Sequence, residues 1–134
     1  MLTPGGPPDI VLELTLRGIV QPVFNQAILA EYRQVLGRPR FSLLPAVVMV
    51  LLDTIEGIGL ETQEGIWPEL IPDKDNEKFL VSAAAGGAVL ITGNLRDFPM
   101  PARRHVRVLS PREFIDRYAG QILPFPGPSK PAPK

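Results

Sequence analysis

Apolar residues recur along the chain at two spacings, which predict helices that alternate with short strands. The clearest helical spacing is in residues 26–36, where positions 28, 29, 32, 35 and 36 form one apolar face. Residues 45–58 are apolar enough for a largely buried helix, which Pro45 can begin. Shorter helices are predicted before Gly18, over residues 76–85 and over residues 111–119.

Short apolar and β-branched runs between these helices predict strands at residues 19–24, 60–62, 88–92 and 106–109. The run at 88–92 has no polar break before its last residue, which is typical of a strand buried on both faces. Because strands alternate with helices, we predict an α/β fold, with a small parallel β-sheet flanked by helices in three layers.

Local signals predict how several of these elements begin and end. Asn25 stands where it can cap the helix that follows. Ser110 and Glu113 have the spacing of a capping box, with Pro111 at the first helical position. Residues 63–72 are expected to form a loop in which Trp67 closes the edge of the core.

The length of 134 residues fits one domain, which we place at residues 1–119. Residues 120–134 are rich in proline and are expected to form an extended, mobile tail. Hydrophobic residues make up 45% of the chain, enough to build a packed core.

Composition and charge exclude several classes of protein. The chain has no cysteine, so disulfides and thiolate metal sites are excluded, and a reducing cytoplasm is the natural setting. The start has no signal-peptide pattern, and the most apolar stretch, residues 43–52, is about half the length of a membrane span. The 14 basic and 14 acidic residues balance, which argues against nucleic-acid binding through overall positive charge. We therefore predict a soluble, cytoplasmic protein.

Three polar clusters fall near the predicted carboxyl ends of strands, where α/β sheets bind ligands. The first is Glu31, at the margin of the apolar face of its helix, from which a carboxylate can point into a cleft. The simpler interpretation is a boundary glutamate that is solvated or bonded to Gln34, one turn on.

The second cluster comprises Asp73, Asp75, Asn76 and Glu77, at the start of a predicted helix. Hard cations such as Mg²⁺ prefer carboxylate oxygens that converge from different segments. Helix capping by Asp75 and a helix-dipole role for Glu77 are the alternative, but capping does not account for Asp73 as well. Both interpretations stay open.

The third cluster, Thr92, Asn94 and Asp97, follows the predicted buried strand directly. A polar turn that leads into a short helix is the alternative. Acidic and amide groups at the ends of several elements suggest a phosphodiesterase that uses a divalent metal. His105 and the arginines around it are interpreted as solvated basic surface, although they could also contact phosphate.

Four segments, three of which contain these clusters, resemble segments of the PIN-domain proteins that are toxin components of toxin–antitoxin systems. The segments are residues 29–41 (LAEYRQVLGRPRF), 73–80 (DKDNEKFL), 91–99 (ITGNLRDFP) and 108–114 (VLSPREF), and their order and spacing agree over residues 4–119.

This resemblance implies a Mg²⁺- or Mn²⁺-dependent endoribonuclease, with RNA as the substrate, a cognate antitoxin as the partner and a homodimer as a further association. It implies a catalytic and metal-binding role for Glu31, Asp75 and Asp97. It also implies contact with substrate or water for Thr92, Asn94 and Asn76.

The sequence departs from the family pattern in two ways. Members begin with a central strand that carries an aspartate, whereas this chain opens at what resembles the next loop. We therefore expect Met1 to be an internal methionine of a protein longer by one strand, and the shortened form could be inactive. In addition, Asn76 and Asn94 stand where members often have aspartate, and an uncharged amide binds a cation more weakly.

Two alternatives remain: a non-catalytic PIN-like module that binds an antitoxin or a second copy, and a small α/β ligand-binding domain unrelated to nucleases.

Overall fold

The structure, a computed structural model, describes residues 7–36 and 45–122. Its helices are α1 (Pro7–Leu16), α2 (Gln26–Leu36), α3 (Pro45–Ile58), α4 (Glu77–Gly86) and α5 (Pro111–Ile122). Its strands are β1 (Val23–Phe24), β2 (Leu60–Glu61), β3 (Leu90–Ile91) and β4 (Val108–Leu109), and the short 3₁₀ turns are Lys74–Asn76, Leu95–Asp97 and Met100–Ala102. The predicted α/β class with small parallel sheets is confirmed.

The strands form two separate parallel pairs instead of one continuous sheet. Val23 of β1 is in register with Leu60 of β2, and Leu90 of β3 with Val108 of β4. Across the described ranges no strand joins the two pairs. Helix α4 contacts both β1 and β3, so one helix connects the two pairs.

The outer edges of β1 and β3 are unpaired among the described residues. The carbonyls of Pro22 and Phe24 accept the N–H groups of Leu60 and Thr62, so β1 uses these residues to bind β2. Because backbone groups alternate in direction along a strand, the N–H and C=O of Val23 point away from β2. By the same rule Ile91 points its backbone groups away from β4, since Leu90 and Thr92 donate to that side.

The strands are shorter than predicted. Residues 19–24 were expected to be extended, but Gly18 adopts a left-handed φ of 78° just after α1. The N–H groups of Ile19 and Val20 then donate to the carbonyl of Leu14, so the chain completes the end of the helix before β1 begins. The run at 88–92 was expected to be fully buried, yet β3 covers only Leu90–Ile91, and both residues are half-buried.

Two predicted ends lie partly outside the described part of the chain. Helix α5 continues to Ile122, three residues past its predicted end, so the first part of the predicted tail is helical. Residues 123–134 of that tail fall outside the described residues, and so do residues 37–41 of the family-like segment 29–41.

The core consists of two hydrophobic clusters. The first joins β1, α2 and α3 through Phe24, Ile28, Leu29, Val48, Leu52 and Ile55. The second packs α4 against the loops and β4 through Trp67, Leu80, Ala83, Phe98, Val106 and Val108. Phe79 packs against both clusters. Trp67 is buried and donates from Nε1 to the carbonyl of Ala102 at 2.8 Å, which confirms its predicted place at the core edge.

None of the helices in the described residues is long and apolar enough to cross a membrane.

Candidate functional site

Glu31 lies on α2 and forms an ion pair with Lys78 of α4. The Oε1 atom of Glu31 is 2.6 Å from Nζ of Lys78, and the two side chains are 33% and 16% exposed. The predicted position at the margin of the buried face is therefore confirmed. The partner of Glu31 is not Gln34, which the simpler interpretation allowed, but a lysine 47 positions along the chain on another helix.

Asn25 fixes the two helices that carry this ion pair. The side chain is fully buried, and Oδ1 accepts the N–H of Ile28 at 2.9 Å, which confirms Asn25 as the cap of α2. Its Nδ2 donates to the backbone carbonyl of Lys78 at 3.3 Å. One amide group therefore sets the start of α2 and holds the first turn of α4 beside it.

The acidic segment before α4 is arranged differently from the predicted cap. Asp73, not Asp75, caps the 3₁₀ turn: its Oδ1 accepts the N–H of Asp75 at 3.0 Å. Asn76 occupies the cap position of α4 but makes no side-chain cap bond. Asp75 is exposed, and its backbone carbonyl accepts Nζ of Lys78 at 2.7 Å. The capping role thus belongs to Asp73, which leaves the carboxylate of Asp75 free of that role.

The segment after β3 forms the polar turn that the sequence allowed as an alternative. Oγ1 of Thr92 accepts the N–H of Asn94 at 3.1 Å, and Oδ1 of Asn94 accepts the N–H of Arg96 at 3.3 Å. Nδ2 of Asn94 donates to Oδ1 of Asp97 at 3.3 Å. The three predicted site residues of this cluster therefore lie together, and Asn94 caps the 3₁₀ turn Leu95–Asp97.

The six predicted site residues form two groups. Lys78 brings Glu31 into one group with the Asp75–Asn76 segment, through the carboxylate of Glu31 and the carbonyl of Asp75. Hydrogen bonds hold the other group, Thr92, Asn94 and Asp97. In residues 7–36 and 45–122 no three acidic or histidine side chains lie close enough to share one metal ion.

These oxygen donors fit a cation that is bound by few protein ligands. Mg²⁺ is usually held by one or two carboxylates and completes its octahedral shell with water and substrate phosphate. Glu31 supplies one partly exposed carboxylate, and the pair of Asn94 and Asp97 supplies an amide and a carboxylate oxygen. Lys78 already provides positive charge at Glu31, so a cation there must displace the ammonium group or lie beside it.

An open cleft of about 570 Å³ lies at the carboxyl ends of β1 and β2. It is lined by Gln26, Glu61, Thr62, Gln63 and Glu64, and Nε2 of Gln26 donates to Oε2 of Glu61 at 2.9 Å. Sequence reasoning did not identify Glu61 and Glu64 as candidates. Glu61 lies in the predicted strand 60–62 and Glu64 lies just after it, so their position at the carboxyl end of a predicted strand was the available signal.

The basic residues after the second polar group are mostly bonded within the fold. Arg103 donates from Nε to the carbonyl of Phe98, Arg104 is 3.5 Å from the carboxylate of Glu69, and Arg107 donates to the hydroxyl of Tyr118. His105 is exposed. The interpretation of these residues as surface is therefore consistent with the structure, with most of the guanidinium groups fixed by protein acceptors.

Tyr32 follows Glu31 on α2 and packs against the first hydrophobic cluster. Its ring centroid is 6.4 Å from that of Phe79. Burial raises the pKa of the Tyr32 hydroxyl above 10.0, and the negative charge of Glu31 raises this pKa further. The hydroxyl therefore remains neutral and does not act as a base near neutral pH.

Comparison with known families gives one match. A family model described as the PIN domain matches residues 1–96. This range contains Glu31, the acidic segment before α4, Thr92 and Asn94, and it ends one residue before Asp97. No curated protein and no solved structure matches the chain.

Proposed function

The chain belongs to the PIN-domain family, and from this membership we propose that it is a Mg²⁺- or Mn²⁺-dependent endoribonuclease, the cytoplasmic toxin of a toxin–antitoxin pair. Family membership also contradicts the third sequence-based interpretation, a ligand-binding domain unrelated to nucleases.

One observation carries the proposal: Glu31 is held at a position where the fold already stabilises a cation. Its side chain is two-thirds shielded from solvent, and Oε1 lies 2.6 Å from an ammonium nitrogen. A carboxylate placed in this way can offer its oxygens to a metal ion, because its orientation is set by two helices that are joined through Asn25.

We assign the remaining roles from the two polar groups. Glu31, Asp75 and Asp97 are the proposed metal ligands and catalytic acids, with Mg²⁺ or Mn²⁺ as the cofactor. Asn76, Thr92 and Asn94 are proposed to contact the RNA or the attacking water. When bound, the cation supplies a water of lowered pKa and neutralises phosphate charge.

The test is cleavage of a fluorogenic single-stranded RNA in Mn²⁺, with EDTA added in a parallel reaction. Glu31→Gln keeps the shape of the side chain but removes its charge, so we expect kcat/KM to fall by about 100-fold or more. Glu56→Gln is the matched control, because Glu56 is also a helical glutamate paired with a cation, Arg33 at 3.6 Å, and lies outside both polar groups. Cleavage that persists in EDTA, or equal activity in the two variants, would refute the assignment of Glu31.

A second candidate function is a non-catalytic module that binds an antitoxin or a second copy of the chain. Two observations favour it: Lys78 already neutralises Glu31, and β1 and β3 each present an unpaired edge among the described residues. Strand addition to such an edge is a common mode of protein recognition. This candidate would be favoured over the nuclease by a folded protein that cleaves no RNA in Mn²⁺ or Mg²⁺ and that has the mass of a dimer in size-exclusion chromatography with light scattering.

A further inference from the structure

We propose that Lys78 is a built-in counter-ion that holds the Glu31 carboxylate until a divalent cation binds, so that this lysine lowers the metal affinity of the site. The inference rests on the metal requirement of the proposed function. In this role Lys78 is a positioning residue for the Glu31 carboxylate.

Three contacts hold the Lys78 ammonium group. Nζ is 2.6 Å from Oε1 of Glu31 and donates to the backbone carbonyl of Asp75 at 2.7 Å. It also lies 5.6 Å from the ring centroid of Phe79. The side chain is only 16% exposed, so protein groups replace much of the water that surrounds a surface lysine.

This ion pair differs from the other ion pairs of the described residues. In the other pairs, which are Arg17–Glu13, Arg33–Glu56 and Arg104–Glu69, every side chain is more than 40% exposed. Such pairs contribute little, because solvent screens them. Glu31 and Lys78 lie on different helices, and Asn25 holds both the start of α2 and the carbonyl of Lys78. The fold therefore sets the contact between the two charges.

A divalent cation at Glu31 must compete with this ammonium group. A cation that takes Oε1 replaces the ion pair, and a cation on Oε2 lies within a few ångströms of a like charge. Either route costs free energy that would otherwise appear as metal affinity. The lysine can move away without unfolding α4, since it has a flexible four-carbon side chain and one of its acceptors lies in an exposed turn.

The experiment is a calorimetric titration of the full chain with Mn²⁺ in the absence of RNA. Lys78→Met removes the charge and keeps the apolar stem, and we expect it to bind Mn²⁺ about tenfold more tightly than the unaltered protein. Lys74→Met is the matched control: Lys74 is an exposed lysine in the neighbouring 3₁₀ turn, and its loss changes the net charge equally. Glu31→Gln should abolish the tightening when it is combined with Lys78→Met.

Each outcome decides the proposal. A Kd for Lys78→Met that equals that of Lys74→Met, or is weaker, would overturn it, as would Mn²⁺ binding by none of the proteins. If Lys78→Met is misfolded by circular dichroism, Lys78→Gln, which retains a hydrogen-bond donor, gives the same comparison. Tighter Mn²⁺ binding by the variant together with no RNA cleavage by the unaltered protein would uphold the counter-ion and refute the nuclease.

Discussion

Asn25 should contribute more to stability than any exposed polar residue near the site. Its side chain is fully buried and makes two hydrogen bonds, one to the N–H of Ile28 and one to the carbonyl of Lys78. Replacing an asparagine cap by alanine costs about 1 kcal/mol. Loss of the second bond adds about 1 kcal/mol, and the vacated volume adds a fraction more. We therefore expect Asn25→Ala to lower the free energy of unfolding by about 2–3 kcal/mol.

A second substitution separates the two bonds. Asn25→Ser keeps an oxygen that can cap α2 but cannot reach the carbonyl of Lys78, so we expect a loss of about 1 kcal/mol. Gln26→Ala is the control, because Gln26 is the next residue, is exposed, and bonds only to the exposed Glu61 in the described structure. Its loss should change stability by less than about 0.5 kcal/mol.

The assay is urea unfolding followed by far-ultraviolet circular dichroism and, independently, by the fluorescence of the single tryptophan. Trp67 belongs to the second hydrophobic cluster, so it reports on a different part of the core from the one that packs around α2. An Asn25→Ala protein within about 0.5 kcal/mol of the unaltered one would refute the reasoning. Equal losses for the alanine and serine variants would show that the cap contributes nothing.

Two further predictions concern packing and pH. Gly86→Ala would place Cβ 2.6 Å from Cγ1 of Val23, so we expect a loss of about 1–3 kcal/mol in urea unfolding. Gly57→Ala meets open space within α3 and should gain about 0.5–1 kcal/mol; equal effects of the two substitutions would contradict this account of helix packing. Because the folded state raises the pKa of Tyr32 above 10.0, stability should be unaffected below that pH and should fall as pH rises above it toward the folded pKa. Urea unfolding at about pH 8 and about pH 11 should show a smaller fall in Tyr32→Phe than in the unaltered protein, and equal falls would contradict the prediction.

The features that could be predicted from the sequence depend on neighbouring residues. Asn25 caps α2, and Ser110 and Glu113 form the predicted capping box, with Glu113 Oε1 accepting the N–H of Ser110 at 2.8 Å. Such bonds span three residues, so spacing alone identifies them. The five helices were found for the same reason, since each carries its own apolar face.

The features that could not be predicted depend on residues far apart in the chain. The ion pair of Glu31 and Lys78 joins two helices, and periodicity within one helix contains no information about its partner. Asp73 rather than Asp75 caps the turn before α4, because a 3₁₀ turn precedes the helix and shifts the cap toward the amino terminus. The division of the strands into two pairs is likewise a property of the tertiary structure.

Phe79 lies where the two hydrophobic clusters of the described residues meet. Within the described ranges it is the residue that packs against both hydrophobic clusters, and the two strand pairs share no backbone ladder. Each cluster with its strand pair can therefore open as a separate cooperative unit, in which the backbone amide hydrogens exchange with solvent together. Whether the chain unfolds in one step or two then depends on the contacts that join these units, among them the ring of Phe79, the hydrogen bond from Asn25 to Lys78 and the ion pair of Lys78 with Glu31.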